Sequence, residues 1–329
     1  MNYGEMVIIN DSKPDSSSLY APVYNNNAMI DLFGITPGLY KEVLKEDAST
    51  VKTRNNKHTL TRRSVTLVFN PAQLPIEERV KQLLVYWIEL FTKAVPVKAN
   101  DSIINANKSI VFKFSDIAKE FGVSYRQAKV MSIEAAEALQ GTIIKWEEND
   151  CLLSFNILQD YMTRKSNRDI ERGCMCITFA DKFAHALPQM SILWFPREVR
   201  KISVRHFPNA GIFAMLLSAH YNRNFKKIGK DGICSISVKT LLDSTSEIPK
   251  YEKVMQTNRM VFKRIIAPFI RDMNVLVDNK TLEHWNLAYK KDYIDKSTYS
   301  DLKYNVFIDC IVHFKFAYYP VDKQVKKLH

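Results

Sequence analysis

The sequence predicts an α+β chain in which one small unit, a pair of short helices followed by a β-hairpin, occurs twice. Three observations predict it. A capped helix pair spans residues 115–141, a hairpin pattern follows it at once, and the same order of elements returns after residue 200. An order that recurs along a chain is harder to reach by accident than either copy alone.

Residues 1–60 are rich in Asn, Ser and Asp, with SSS and NNN runs and little periodic hydrophobicity. They are expected to form a mostly flexible N-terminal segment, with AMIDLFGITPGLYKEVL as a short docking helix. Arg54, Lys57, Arg62 and Arg63 form a small basic cluster that suits phosphate contact or a solvated linker equally well. Ordered structure is expected from SVTLVFN, a strand-like alternation, followed by the helix PIEERVKQLLVYWIELFTKA. Val80, Leu83, Leu84, Trp87, Ile88 and Phe91 recur there at helical spacing. Glu77 and Glu78 fall in the first turn, where the helix dipole favours acids. SIVFKF reads as a strand. It runs into SDIAKEF, a short helix with Ser115 as N-cap and Gly122 as its left-handed stop.

FGVSYRQAKVMSIEAAEALQG carries the second helix of the pair, with Ser124 and Gln127 as a capping box. Ala128, Ser132, Ala135 and Leu139 form an inner face small enough for close packing. Arg126, Gln127 and Lys129 then point outward near the start, beside Ser124 and Tyr125. Arginine, glutamine and lysine suit guanine and adenine edges or phosphates, and a solvated cationic face is the plain alternative. TIIKWEEND and CLLSFNIL read as the strands of a hairpin, with Lys145 and Trp146 on it. Helix, strand, helix pair and hairpin in that order make a winged helix, whose second paired helix can lie in a duplex major groove.

The second copy begins at FPNAGIFAMLLSAHYNRN, a helix with Ile212, Phe213, Leu216 and Leu217 facing inward. ICSIS is a short strand, VKTLLDS a short helix capped by Ser237, and YEKVMQTNRMVFKRIIAPFIRDM one long helix. That helix places Lys253, Gln256, Asn258, Arg259, Lys263 and Arg264 near one side, with Met260, Phe262, Ile266, Phe269, Ile270 and Met273 as apolar surface. Pro268 should kink it toward its C-terminal end. A recognition helix meets bases with its first turns, so Lys253, Gln256, Asn258 and Arg259 are the candidates for bases or nearby phosphates, and Lys263 and Arg264 for phosphate. LEHWNLAY and VFIDCIVHFKFAY close the unit as a hairpin with a long charged tip, from which Lys290, Lys291 and Lys296 can reach flanking backbone or minor groove. The two winged-helix domains are expected at residues 61–190 and 191–329, joined near residues 187–200.

Composition agrees with a nucleic-acid partner. The 329 residues carry 47 Lys+Arg against 35 Asp+Glu, net +12, and 46% hydrophobic residues suffice for real cores. No run approaches the roughly 18 to 20 apolar residues of a membrane span. The N-terminus shows no basic region followed by an apolar one, so a cytoplasmic protein is expected, with no membrane partner. Five scattered cysteines suit reduced thiols, and the lone C-x-C of Cys174 and Cys176 suits buried packing over metal binding. No cofactor, metal or catalytic residue is expected. The seven histidines form no pair flanking a hydrophobic residue, no G-x-x-x-x-G-K-[ST] occurs, and the acidic pairs Glu77/Glu78 and Glu147/Glu148 sit at a helix start and a turn.

FKRIIAPFIRDMN resembles a segment of the iteron-binding plasmid replication initiators, the initiator Rep family built from tandem winged helices: a Lys/Arg-bearing helix, a hydrophobic pair, a proline and a hydrophobic-Asn ending. The helix at residues 207–221 followed by SISVKTLLDS is similar to the family's helix and strand-helix, and DIAKEFGVSYRQAKVMSIEAAEAL to its first domain. The resemblance covers the element order over residues 65–318, and the segment before residue 60 and the tip at 288–305 depart from it. It implies binding of double-stranded DNA, both origin direct repeats and the operator of the chain's own gene. It also implies origin opening, contact with a host initiator and replicative helicase, autoregulation, and a homodimer at the operator. A transcription repressor or partition factor with the same modules satisfies the residues equally, and a protein-docking scaffold is a third reading.

Overall fold

The structure, a computed structural model, describes residues 20–25, 29, 32, 58–62, 65–69, 78–148, 151–164, 166–167, 169–224, 228, 231–245, 247–257 and 260–317. Most of the docking-helix stretch, and Arg54, Lys57 and Arg63 of the basic cluster, lie outside these residues. Within the segment expected to be mostly flexible, Tyr20–Asn25 is a strand (β1). Ala21, Val23 and Tyr24 are buried in it, as are the helical residues Met29 and Leu32.

The first unit is built on α1 (Glu78–Ala94). The predicted stripe is inside, with Leu83, Leu84, Trp87, Ile88 and Phe91 all buried, but the opposite side is covered too, so Lys81, Gln82 and Glu89 are buried as well. The covering explains this. β1 lies along one flank, where Tyr24 donates its hydroxyl to Val95 O at 2.7 Å and its ring meets Phe91 edge-on. After the short α2 (Asp101–Asn107), β4 (Ser109–Lys113) packs Phe112 against Trp87 in a stacked contact of 5.8 Å.

Next come α3 (Phe114–Phe121) and α4 (Tyr125–Gly141). Gly122 takes the left-handed conformation between them, φ 62°. The predicted Ser115 cap is corrected: the N-cap is Lys113, two residues earlier, with no side-chain capping bond. The Phe114 N–H at the helix start finds the Gly173 carbonyl instead, at 3.0 Å. Ala128, Ser132, Ala135 and Leu139 are all buried, as their spacing predicts.

The hairpin of β5 (Ile143–Glu148) and β6 (Cys151–Asn156) forms, but it is not the wing. It continues a four-stranded sheet, β2-β3-β5-β6, with β2 (His58–Arg62) and β3 (Val65–Phe69). The wing is the next hairpin, β7 (Leu158–Thr163) and β8 (Cys174–Phe179), in a sheet of order β4-β8-β7 with Ser109 opposite Thr178. In a winged helix the strand before the helix pair bonds to the returning strand of the wing, and β8 fills that place.

A connection of α5 (Asp181–Ala186), β9 (Ser191–Pro196) and a 3-10 turn (Arg197–Lys201) leads to the second unit. There α6 (Ala210–Asn224) is buried almost all round, a wider contact than the four residues expected. β10 (Cys234–Ser237) and α7 (Val238–Leu242) follow, with Ser237 Oγ accepting from the Thr240 N–H at 3.1 Å. The single long helix does not form. It divides into α8 (Tyr251–Thr257), a π-helical turn at Phe262–Ile266, and α9 (Ala267–Asp278). The wing strands β11 (Leu282–Tyr289) and β13 (Ile311–Phe316) give the order β10-β13-β11-β12, with β12 (Asp292–Tyr293) added at the edge.

The same topology thus occurs twice: first strand, returning wing strand, outgoing wing strand. VFI of the expected strand VFIDCIVHFKFAY is instead in α10 (Tyr304–Ile308). Helical spacing lets Phe307 reach Phe269 at 5.3 Å while Tyr304 stacks on Tyr251 at 4.1 Å. Buried apolar side chains from Ala21 to Phe316 form one contiguous cluster through both units.

Candidate nucleic-acid interface

In the first unit the candidates gather where the sequence put them, at the start of α4. The capping box closes both ways: Ser124 Oγ accepts from the Gln127 N–H at 3.3 Å, and the Ser124 N–H donates to Gln127 Oε1 at 3.0 Å. The box also removes Gln127 as a bidentate adenine reader, because that contact needs its oxygen as well as its amide nitrogen. Arg126 and Lys129 are exposed, and Tyr125 is half exposed with its ring edge-on to Phe114 at 6.1 Å. Beyond Val130 the outer face turns acidic at Glu134 and Glu137. That gradient favours approach of a polyanion to the first two turns only.

The wing adds cations that the sequence reading missed. Arg164 and Arg172 are exposed at the ends of the β7–β8 turn. The base of this wing is held against the helix pair at three points. Gly173 presents its carbonyl to Phe114 and takes φ 89°, a conformation strained for a residue with a side chain, and a Cβ there would stand a tight 3.2 Å from Tyr125 Oη. Tyr161 donates to Glu137 Oε1 at 3.1 Å, and Gln140 Nε2 to Gln159 O at 3.1 Å. Lys145 lies elsewhere, half-buried in β5 between Thr66 and Ser154, so its predicted place on the wing is corrected. The side chain of Trp146 lies outside the described residues.

In the second unit Lys253 and Gln256 are exposed on α8, and Lys263 and Arg264 on the π turn. Asn258 and Arg259 lie outside the described residues. Arg264 Nη1 donates to Thr257 Oγ1 at 3.2 Å, which draws the end of α8 and the π turn together. Pro268 explains the turn. It has no N–H to give to residue 264, and its ring would crowd that carbonyl in a regular helix, so the ladder shifts to Ala267 N–H bonding Phe262 O. The predicted kink is therefore replaced by a π turn on the N-terminal side of the proline. At the β11–β12 turn Lys290 and Lys291 are exposed with φ of 49° and 79°. Two consecutive lysines in left-handed conformation cost strain that Asn-Gly would avoid, and they present two charges at the hairpin tip. Lys296 is held over the Trp285 ring at 5.5 Å instead of reaching outward.

A buried ionic joint fixes the connection between the units to α1. Glu89 meets Arg200 at 2.7 Å, Lys93 at 3.1 Å, and Arg197, while Arg200 also pairs with Glu120 of α3. Arg200 and Glu89 are 0% and 1% exposed, so neither charge has water to fall back on. Burial works against the Glu89 carboxylate, but the Arg200, Lys93 and Arg197 charges outweigh it and hold its pKa below the usual value. In the second unit, Asn209 donates twice to the buried Asp272 of α9, at 3.0 and 2.7 Å.

Among the described residues no group of three or more His, Cys, Asp or Glu could hold a metal ion, and no helix is long and apolar enough to cross a membrane. No protein-family model matches the chain, and no curated protein matches it. Solved structures similar to it include the following two. One is the crystal structure of the Pi initiator protein in complex with iteron DNA, at 12% identity and TM-score 0.49, covering 78% of this chain and 98% of that one. The other comprises domain 2 and domain 3 of RctB, at 12% identity and TM-score 0.43, covering 88% of this chain and 99% of that one.

Proposed function

We propose that the chain is a sequence-specific duplex DNA-binding protein that acts as a replication initiator on direct repeats. The observation that carries the DNA-binding part is the repeated topology in which each unit carries exposed cations both on its reading helix and on a hairpin tip. Arg126 and Lys129 with Arg164 and Arg172 serve the first unit, and Lys253, Lys263 and Arg264 with Lys290 and Lys291 the second. Reading helices supply base contacts and hairpin tips supply phosphate contacts, which position without specifying. The initiator part rests on the resemblance of FKRIIAPFIRDMN and of the element order to the iteron-binding initiators. Contacts with a host initiator and helicase, dimerisation at an operator, and autoregulation belong to the same proposal.

Selection of bound duplexes from a random pool tests the reading. One enriched sequence is expected, with a footprint of about two helical turns, roughly 20 base pairs. Protection of a single turn would mean that only one unit reads DNA, and no enrichment at low salt would end the proposal. Replication of a plasmid carrying the gene beside repeats of the selected site separates an initiator from a repressor with the same modules.

A further inference from the structure

Phe262 is on the wrong side of its helix. In an uninterrupted α-helix it would stand seven residues before Phe269, on the buried stripe of Ile265, Ile266, Phe269, Met273 and Leu276. The π turn inserts the equivalent of one extra residue and swings position 262 off that stripe. Phe262 is 37% exposed, and Met260 beside it 51%. The sequence alone groups both with Ile266, Phe269, Ile270 and Met273 as one apolar surface.

We infer that Phe262 reads the 5-methyl group of a thymine in the major groove, as the apolar member of the second unit's recognition surface; this rests on the DNA-binding reading above. The surroundings select the partner. Lys263 and Arg264 follow at once, and the Arg264–Thr257 bond brings α8, with Lys253 and Gln256, alongside. A partly exposed ring within a cationic face fits a surface that is polyanionic overall and carries isolated apolar spots. The major groove offers that combination, since thymine alone among the bases projects a methyl group there. Hydrogen-bonding side chains on this face cannot perform that readout, so Phe262 would fix a T·A pair that Lys253 and Gln256 do not.

The test replaces each thymine of the selected duplex in turn by deoxyuridine, which removes the methyl and nothing else. Wild-type protein is expected to bind about fourfold more weakly when one particular thymine is replaced, the worth of one buried methyl. Phe262→Ala should bind the thymine and deoxyuridine duplexes alike at that position, and Phe262→Leu, which keeps an apolar tip, should still prefer thymine. Indifference of the wild type to every replacement overturns the inference while leaving DNA binding intact. Unchanged discrimination in Phe262→Ala overturns it as well, since another side chain must then read the methyl. Failure to enrich any duplex removes the reading beneath both.

Discussion

Gln127 and Arg126 are adjacent, equally exposed and equally suited by type to a base edge, yet the structure separates their roles. Gln127 has its oxygen occupied by the cap, and Arg126 keeps its fork available. Arg126→Ala is therefore expected to weaken binding by about 1–3 kcal/mol and to relax preference at one base pair. Gln127→Ala should lower thermal stability, by about 1 kcal/mol for a lost cap, and leave preference unchanged. Titrations on the selected site and its single-base variants, with melting curves, distinguish the two. Arg164→Gln and Arg172→Gln should each reduce the slope of log affinity against log salt by about 0.9 at unchanged preference, because a wing cation meets only phosphate. Glu89 gives a pH dependence. Its folded pKa lies below the unfolded value, so its contribution to stability is complete above about pH 4.3 and is lost as the pH falls through the folded pKa. Glu89→Gln should be less stable at neutral pH, since removing one partner of a buried pair costs about 3–5 kcal/mol, and should lose less on acidification than the wild type. Chemical denaturation across pH 3 to 7 measures both, in roughly the range where carboxylates titrate.

Elements that depend on neighbours in sequence were legible, and those that depend on distant partners were not. The α3–Gly122–α4 turn could be read because a cap, a left-handed glycine and a small-residue face are all local. The wing of the first unit could not, since β5–β6 is a genuine hairpin too, and only the pairing of Ser109 with Thr178 decides which hairpin completes the module. Its polar tip, TRKSNRDIERG, holds both missed arginines and reads as ordinary loop. The π turn was hidden for a different reason: Pro268 announces a break but not the side on which it is absorbed. One tight approach between elements has a testable sign. A Cβ on Gly211 of α6 would lie 2.3 Å from Glu78 Oε1 of α1, and Glu78 is itself buried and paired with Lys81 at 3.1 Å. Glycine to alanine inside a helix usually stabilises by roughly 0.5–1 kcal/mol. Gly211→Ala should instead destabilise, and should regain the usual sign in a Glu78→Ala background, as a double-mutant cycle by denaturation would show.

At the scale of the whole molecule the two units share one apolar cluster, and the connection between them is clamped by charge. Buried ion pairs add little net stability but are demanding of geometry. The Glu89–Arg200–Glu120 joint therefore suits a fixed register between the two units better than it suits raw stability. The recurring element order predicted two domains, and the periodicity of α1 predicted one covered face. The second face of α1 is covered by β1 and by the segment after β9, neither of which any local pattern could assign to it.

The pairing of β1 with β9 joins Tyr20–Asn25 to Ser191–Pro196 across some 170 positions of chain. During synthesis the opening strand must wait for its mate, so the flank of α1 that it seals stays uncovered until well over half the polypeptide has left the ribosome. An emerging chain with that apolar side bare invites chaperones or aggregation, and completion of the first unit becomes tied to translation of the start of the second.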